Sequence, residues 1–520
     1  MPETSGRARG WVLPAVAGVA SVVFGAGVGE LAAAILAPES SPFLVVGSQL
    51  IDLAPPWAKD AAIALFGTAD KAALLVGIAL VLIAAAGAAG VLEARRPPWG
   101  RVLVGLIGAV GVLAAMTRAN APMLAFAPPA IAAVASVIAL QLLVRRLPVT
   151  DAAAPAKAAP ASPPAGIDRR RFLGWAGGAA VLGALAAVGG YALQAGSRAV
   201  TAIRGTITLP TPTAAATVPP GAELDLEGLT PVITPNAEFY RIDTALAVPA
   251  DDPETWSLRI HGMVDREVTL TWDELLALPL EESVTTLACV SNEVGGDLIG
   301  NAVWLGYPIR ELLARAEPGA DADMVLSRSV DGFTASTPLA VLQDDRNAIL
   351  AVGMNGEPLP AQHGFPVRMV VPGLYGYVSA TKWVVDLEVT RFDAASAYWT
   401  DRGWSPMGPI KLQSRIDVPR SGQPLTAGPI TVAGVAWHQH TGIAGVDVQV
   451  DDAPWQPATL AQEISIDTWV QWRFDWDAPA GTHTLRVRAT DADGEVQTAR
   501  MQGVVPDGAT GLHERTVDVG

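Results

Sequence analysis

With 520 residues and a net charge of −16, the chain is long enough for several domains and too acidic for a nucleic-acid partner, whose phosphates call for a basic footprint. A single cysteine, Cys289, excludes internal disulfides, so any exported part must be held by an ordinary hydrophobic core. Residues 1–147 contain no histidine or cysteine, whereas eleven of the fifteen tryptophans lie after residue 250, so the front suits lipid and the rear suits water.

Five segments, about 12–36, 71–92, 101–117, 125–144 and 173–193, offer close to the roughly 20 apolar residues that cross a bilayer. Glu30 lies inside the first and is expected to face protein or an interface rather than lipid. Residues 43–66 are broken by Asp52 and Pro55-Pro56 and read as interfacial or re-entrant, with a sixth crossing as the alternative. Five crossings place Arg7, Arg9, Arg95, Arg96, Arg101, Arg145, Arg146 and Arg169–Arg171 all on the cytoplasmic side. They put the N-terminus inside and the chain after about residue 195 on the outer face of a bacterial cytoplasmic membrane. A sixth crossing would leave one basic cluster on the wrong side.

The membrane domain is thus 1–147, about four spans, followed by an Ala/Pro-rich cytoplasmic linker, 148–168. The fifth span, 169–194, opens with "DRRRFLGWAGG", which resembles an internal twin-arginine export signal; an ordinary positive-inside flank is the other reading. Residues 195–230, rich in Thr, Pro and Ala, read as an outer tether.

From 231 to 411 the texture is that of a mixed α/β domain. "WSLRIHGMV" (256–264) alternates as a half-buried strand, and "TWDELLALP" (271–279) reads as a short helix capped near Thr271 or Asp273. "VWLGYPIRELLARAE" (303–317) runs from a strand or turn into a helix, and 363–390 alternates short β runs with Gly/Pro turns. Residues 412–505 show period-two strands joined by Gly, Asp and Pro turns, an immunoglobulin-like β-sandwich in architecture, with 506–520 as a tail.

Five separated stretches then stand in one order: "TPNAEFYRID" (234–243), "TTLACVSNEVGG" (285–296), "MNGEPLPAQHGFPVRMVVPGLYGYVSATKW" (354–383), "IKLQSRIDVP" (410–419) and "VAWHQHTGIAGVDVQVDDAPW" (435–455). Together they resemble the sulfite oxidase family of molybdopterin-dependent oxidoreductases, in particular its bacterial membrane-anchored members. The resemblance implies one molybdenum held by one pterin dithiolene and one protein thiolate, and Cys289 matches that thiolate. It also implies that Asn236, Phe239, His363, Arg368, Ser379, Thr381 and Lys382 hold the cofactor, and that Tyr240 and Arg241 face the reaction. The C-terminal sandwich is the part associated with dimerisation in that family, so a homodimer is an expectation. A soft sulfur suits a high-valent metal, and the pterin's phosphate and polar edges call for cationic and hydroxyl donors. Read singly, a lone cysteine is more often a small buried hydrophobe. His261 reads as a strand residue; His438 and His440, in "WHQH", have the look of a metal pair, the less favoured of their readings.

Two departures bear on the substrate. Sulfite-oxidising members carry basic residues a few positions after the cysteine, where this chain has Glu293 and Val294. The tyrosine that animal members carry before "MNG" is matched by Val352. These favour oxygen-atom transfer on a small S-oxo or N-oxo compound, with Arg241 polarising the substrate. The alternatives are sulfite oxidation at the same site and a catalytically inert membrane-anchored scaffold on the same fold. With no histidine in the front region, a bis-histidine haem is not expected, and electrons would pass to a separate partner or a quinone.

Overall fold

The computed structural model describes residues 4–37, 40–53, 70–117, 124–147, 169–193, 203–245, 248–249 and 251–520. The chain divides into two compact units, Met1–Ala199 with Thr244–Ala247, and Val200–Asp243 with Val248–Gly520.

In the first unit the described elements are helices: α1 (Thr4–Leu36), α2 (Pro42–Leu53), α3 (Asp70–Arg95), α4 (Trp99–Met116), α5 (Ala127–Val144) and α6 (Arg169–Leu193). Among the described residues five helices are long and apolar enough to cross a membrane, within Trp11–Leu36, Ala73–Arg95, Trp99–Met116, Ala127–Val144 and Arg170–Gly189. A helix satisfies its backbone internally, which is what hydrocarbon demands. Helix α1 packs against α3, α5 and α6. It meets α3 backbone to backbone: a Cβ on Gly18 would lie 1.9 Å from the Ala86 carbonyl oxygen, and one on Gly90 2.0 Å from that of Pro14. Glu30 accepts from Ser41 Oγ at 2.7 Å and from the Phe43 amide at 3.4 Å, so it faces protein as its place in an apolar run requires. Helix α2 occupies the start of the 43–66 segment; the rest of that segment and the 148–168 linker lie outside the described residues.

The second unit carries eighteen strands among its described residues. The first ten are β1 (Ser257–Gly262), β2 (Val268–Thr271), β3 (Glu281–Ala288), β4 (Ile299–Pro308), β5 (Met324–Ser329), β6 (Thr334–Pro338), β7 (Ile349–Met354), β8 (Glu357–Pro358), β9 (Arg368–Val370) and β10 (Val384–Thr390). They form two sheets, ordered β2-β1-β10-β5-β6 and β3-β4-β7-β8, with β9 pairing β7. Only β1 with β10 is a parallel pair among these. The helix Trp272–Leu276 starts at a capping box in which Thr271 and Glu274 each bond the other's backbone amide, and it buries Trp272 and Leu275. Helix Ile309–Ala316 follows β4 directly and buries Ile309, Leu312, Leu313 and Ala316, one face at helical spacing.

The remaining strands are β11 (Gln413–Val418), β12 (Gly428–Trp437), β13 (Ile443–Val450), β14 (Gln456–Pro457), β15 (Thr459–Leu460), β16 (Val470–Ala478), β17 (Gly481–Asp491) and β18 (His513–Val519). They build sheets β11-β12-β16-β15 and β14-β13-β17-β18, closing on a core that includes Ile416, Val448, Trp472, Leu485 and Val487. The molecule therefore combines apolar N-terminal helices, a central α/β domain and a C-terminal immunoglobulin-like β domain.

Two expectations are corrected. Residues 203–230 are no tether: the Thr213 amide donates to the Leu280 carbonyl at 2.7 Å, Ala214 bridges Glu281, and Ala222 is buried. Backbone pairing holds this stretch, and composition carries no trace of it. Residues 506–520 are no free tail, because β18 pairs with β17 along its whole length.

Candidate active site

Strand β3 delivers Cys289 at its end, and the loop that follows is stapled to itself. The Cys289 amide donates to Leu298 O at 2.9 Å, the Asn292 amide to Cys289 O at 3.0 Å, and the Leu298 amide to Asn292 Oδ1 at 2.9 Å. Cys289 is 8% exposed and its Sγ accepts from the Ser291 amide at 3.4 Å. Burial pushes the thiol up, against the opposing Ser291 hydrogen bond, so a thiolate here needs a cation or a metal to sustain it.

The 234–243 segment forms a second wall. The Asn236 side chain reaches Met354 O at 3.3 Å and accepts from Asn355 Nδ2 at 2.8 Å. Phe239 packs edge-on against Trp304 and His363, at 5.7 and 5.6 Å between ring centroids, and stacks on Tyr240 at 5.2 Å. The Tyr240 phenol is held strongly protonated, first by burial and then by the charge of Cys289, with Arg368 opposing; it neighbours both.

The third wall comes from 361–383. His363 Nε2 lies 3.1 Å from the Asn236 carbonyl, which makes Nε2 the donor, and burial followed by the Arg368 charge lowers its pKa to about 4. Arg368 is 5% exposed, lies 5.0 Å over the Trp304 ring, and donates to the backbone carbonyls of His363, Met369 and Ala380. No carboxylate among the described residues pairs with it, and burial lowers it to about 10. Lys382 and Arg241 share one carboxylate, Asp243, at 2.6 and 2.9 Å. Burial brings Lys382 down to about 8 despite that partner.

Two of these cations, Lys382 and Arg241, thus share a single acid, while among the described residues Arg368 and His363 bond only backbone carbonyls. Such a cluster fits an anionic group with polar edges, and the unpaired, buried Arg368 is the plainest sign of it. Among the described residues no group of three or more His, Cys, Asp or Glu is placed to hold a metal ion, so a metal at Cys289 would need ligands that its own cofactor brings.

Not every expected residue joins the cluster. The Ser379 hydroxyl donates to the Leu374 and Tyr375 carbonyls, and the Thr381 hydroxyl bonds Ser327 Oγ at 2.7 Å; both frame the third wall from behind. His261 pairs with Asp386 on β10 at 2.9 Å. His438 and His440 bind separate carboxylates, Asp491 at 2.9 Å and Asp467 at 3.1 Å. Glu293 is exposed, and Val352 is buried in the core. Sequence reasoning missed Asp243 and Trp304. The Arg241-Ile242-Asp243 spacing was a usable sign of the first; nothing local marked the second.

A family model described as the oxidoreductase molybdopterin binding domain matches residues 245–399, and one for a bacterial Ig domain matches 413–487. The oxidoreductase YuiH of Bacillus subtilis, described as uncharacterized, is 32% identical over 161 residues, 30% of this chain and 76% of its own length. Human mitochondrial sulfite oxidase is 31% identical over 318 residues, 51% of this chain and 57% of its own.

The chain belongs to the sulfite-oxidase-like molybdoenzyme superfamily.

It spans a little over half the length of the mitochondrial sulfite oxidases it matches. The sulfane dehydrogenase SoxCD of Paracoccus pantotrophus is a similar solved structure, with a TM-score of 0.49 and 23% identity over 58% of this chain and 86% of that one. For a superfamily whose cofactor carries a phosphate and its own dithiolene sulfurs, the donor set described above is a fit.

Proposed function

We propose that the second unit is a molybdopterin-dependent oxidoreductase that transfers an oxygen atom to a small sulfur oxyanion, with sulfite as the first candidate. Bound there, the cofactor would supply two-electron oxygen-atom exchange with water. The residues of this chain do the rest. Cys289 provides the protein thiolate; His363, Arg368 and Lys382 hold the anionic pterin from the third wall, and Asn236 and Phe239 support it from the second. Arg241, whose side chain is 37% exposed, is the cation left to meet substrate, with Asp243 fixing its direction. Tyr240, held protonated, serves as a hydrogen-bond donor beside the thiol.

The observation that carries this reading is the charge count: among the described residues Asp243 is the one carboxylate that pairs with Arg241 and Lys382, and Arg368 pairs with none. Once a phosphate takes up part of that charge, enough remains to attract an oxyanion. Glu293 is exposed, so its charge is solvated and weighs less against a sulfite dianion. A second reading, reduction of an S-oxide or N-oxide, keeps support from Val294 and Val352, which put apolar groups where sulfite-oxidising relatives have basic and phenolic ones.

The first unit is read as a membrane anchor with a cytoplasmic N-terminus, exporting the second unit through the twin-arginine-like segment at 168–175. Electrons pass to a separate partner or a quinone, and the β-sandwich offers a route to a homodimer. To test the substrate, the purified, cofactor-loaded protein is assayed in both directions: sulfite with a one-electron acceptor, and S- and N-oxides with a reduced viologen. Sulfite-dependent acceptor reduction that fails in Arg241→Met supports the reading. Turnover of oxides alone would transfer it to the second reading.

A further inference from the structure

The β-sandwich reaches the cysteine loop from both sides, and the contacts are specific. Three residues before the thiol, Thr286 is fully buried; its amide donates to Asp467 O at 3.0 Å and its hydroxyl accepts from the Trp469 amide at 2.8 Å. Gln439 Nε2 donates to the Thr286 carbonyl at 3.2 Å. Beyond the thiol, Arg415 Nη1 donates to Gly296 O at 2.7 Å. Arg415 is itself locked, with Asp417 Oδ1 at 2.7 Å and Thr230 Oγ1 at 3.0 Å, and both members of the ion pair are 8% exposed. Beside it the His513 ring, on β18, is fixed by the Ile416 amide donating to Nδ1 at 2.9 Å. That ring lies against Gly295, whose φ of +76° and lack of a side chain are both required: a Cβ there would sit 2.4 Å from His513 Cδ2.

We propose that Arg415 and His513 are positioning residues: from the sandwich they clamp the Gly295–Gly296 end of the loop and hold the Cys289 thiol sheltered in one conformation. The Thr286 contacts anchor the other end. The sandwich then completes the reactive centre of the preceding domain, whatever part it has in dimerisation. This bears on the proposed function because Cys289 is its metal ligand, but the clamp itself is testable without metal. A guanidinium that spans a carbonyl, a carboxylate and a hydroxyl at once has a fixed geometry that lysine does not reproduce.

Because Cys289 is the only thiol in the chain, its alkylation reports on the loop alone. Full-length protein is purified in detergent from a host that makes no molybdopterin, and its labelling by iodoacetamide is timed. Arg415→Met and Gly295→Ala are expected to label about tenfold faster than wild type at a temperature well below each variant's own unfolding midpoint, with Arg415→Lys in between. Arg488→Met, which breaks the Arg488–Asp447 ion pair elsewhere on the sandwich, is expected to label at the wild-type rate. Wild-type labelling in both Arg415→Met and Gly295→Ala would overturn the proposal. So would an equal acceleration in Arg488→Met, since that would make the effect one of general destabilisation. Loss of metal with normal labelling in other variants would bear on the proposed function and leave the clamp standing.

Discussion

His363 shows what the cluster costs the protein when no anion is present. It is 2% exposed, and its pKa falls from 6.5 to about 4 through burial first and the Arg368 charge second. The folded-state value lies below the unfolded one, so the unfolded chain takes up the proton first as pH drops. The resulting stability is fully present above pH 6.5 and is lost as pH falls through about 4. A shift of this size corresponds to about 3 kcal/mol. Unfolding of the cofactor-free protein followed by tryptophan fluorescence is therefore expected to need less denaturant at pH 4.5 than at pH 7, with His363→Gln removing most of that difference. An unchanged pH slope in the variant would place the acid sensitivity elsewhere. The cluster was largely readable in the sequence because "HGFPVR" and "YRID" keep its members a few residues apart. Trp304 was not, since what it does depends on contacts made across the fold.

At the level of elements, local chemistry was legible and long-range pairing was not. The Thr271–Glu274 capping box is written within four residues, and the alternation of 256–264 announces β1. By contrast, the Thr/Pro-rich 203–230 stretch carries no periodicity, and its bridge from Ala214 to Glu281 depends on a strand some 67 residues away. Strand β3 is where this matters for function. The buried Thr286 hydroxyl donates to Asn301 Oδ1 at 2.9 Å and accepts from the Trp469 amide at 2.8 Å. Thr286→Val keeps the shape but leaves both partners buried without a bond, an expected loss of about 2–4 kcal/mol by denaturant titration. A loss under about 0.5 kcal/mol would mean that water or a small shift replaces both bonds, and that the join between β3 and the sandwich is soft.

For the whole molecule, the membrane unit was the most legible part, because hydrocarbon allows a spanning segment so few solutions. The five long apolar helices fall close to the segments read from hydrophobicity, and Glu30 finds a polar partner as its position required. The soluble unit was legible as an ordered series of motifs rather than as a surface: the number of cations around Asp243 and the reach of Arg415 and His513 into the cysteine loop belong to the folded chain alone. Everything proposed for it turns on whether Cys289 ligates a molybdenum held by the cationic wall. The most direct measurement is the metal content and X-ray absorption spectrum of full-length wild type and Cys289→Ser, each purified from a host that makes molybdopterin. The expected result is about one molybdenum per wild-type chain, and in Cys289→Ser a retained pterin with one sulfur fewer around any metal. Wild-type protein without molybdenum, or a Cys289→Ser variant with an unchanged sulfur shell, would contradict it.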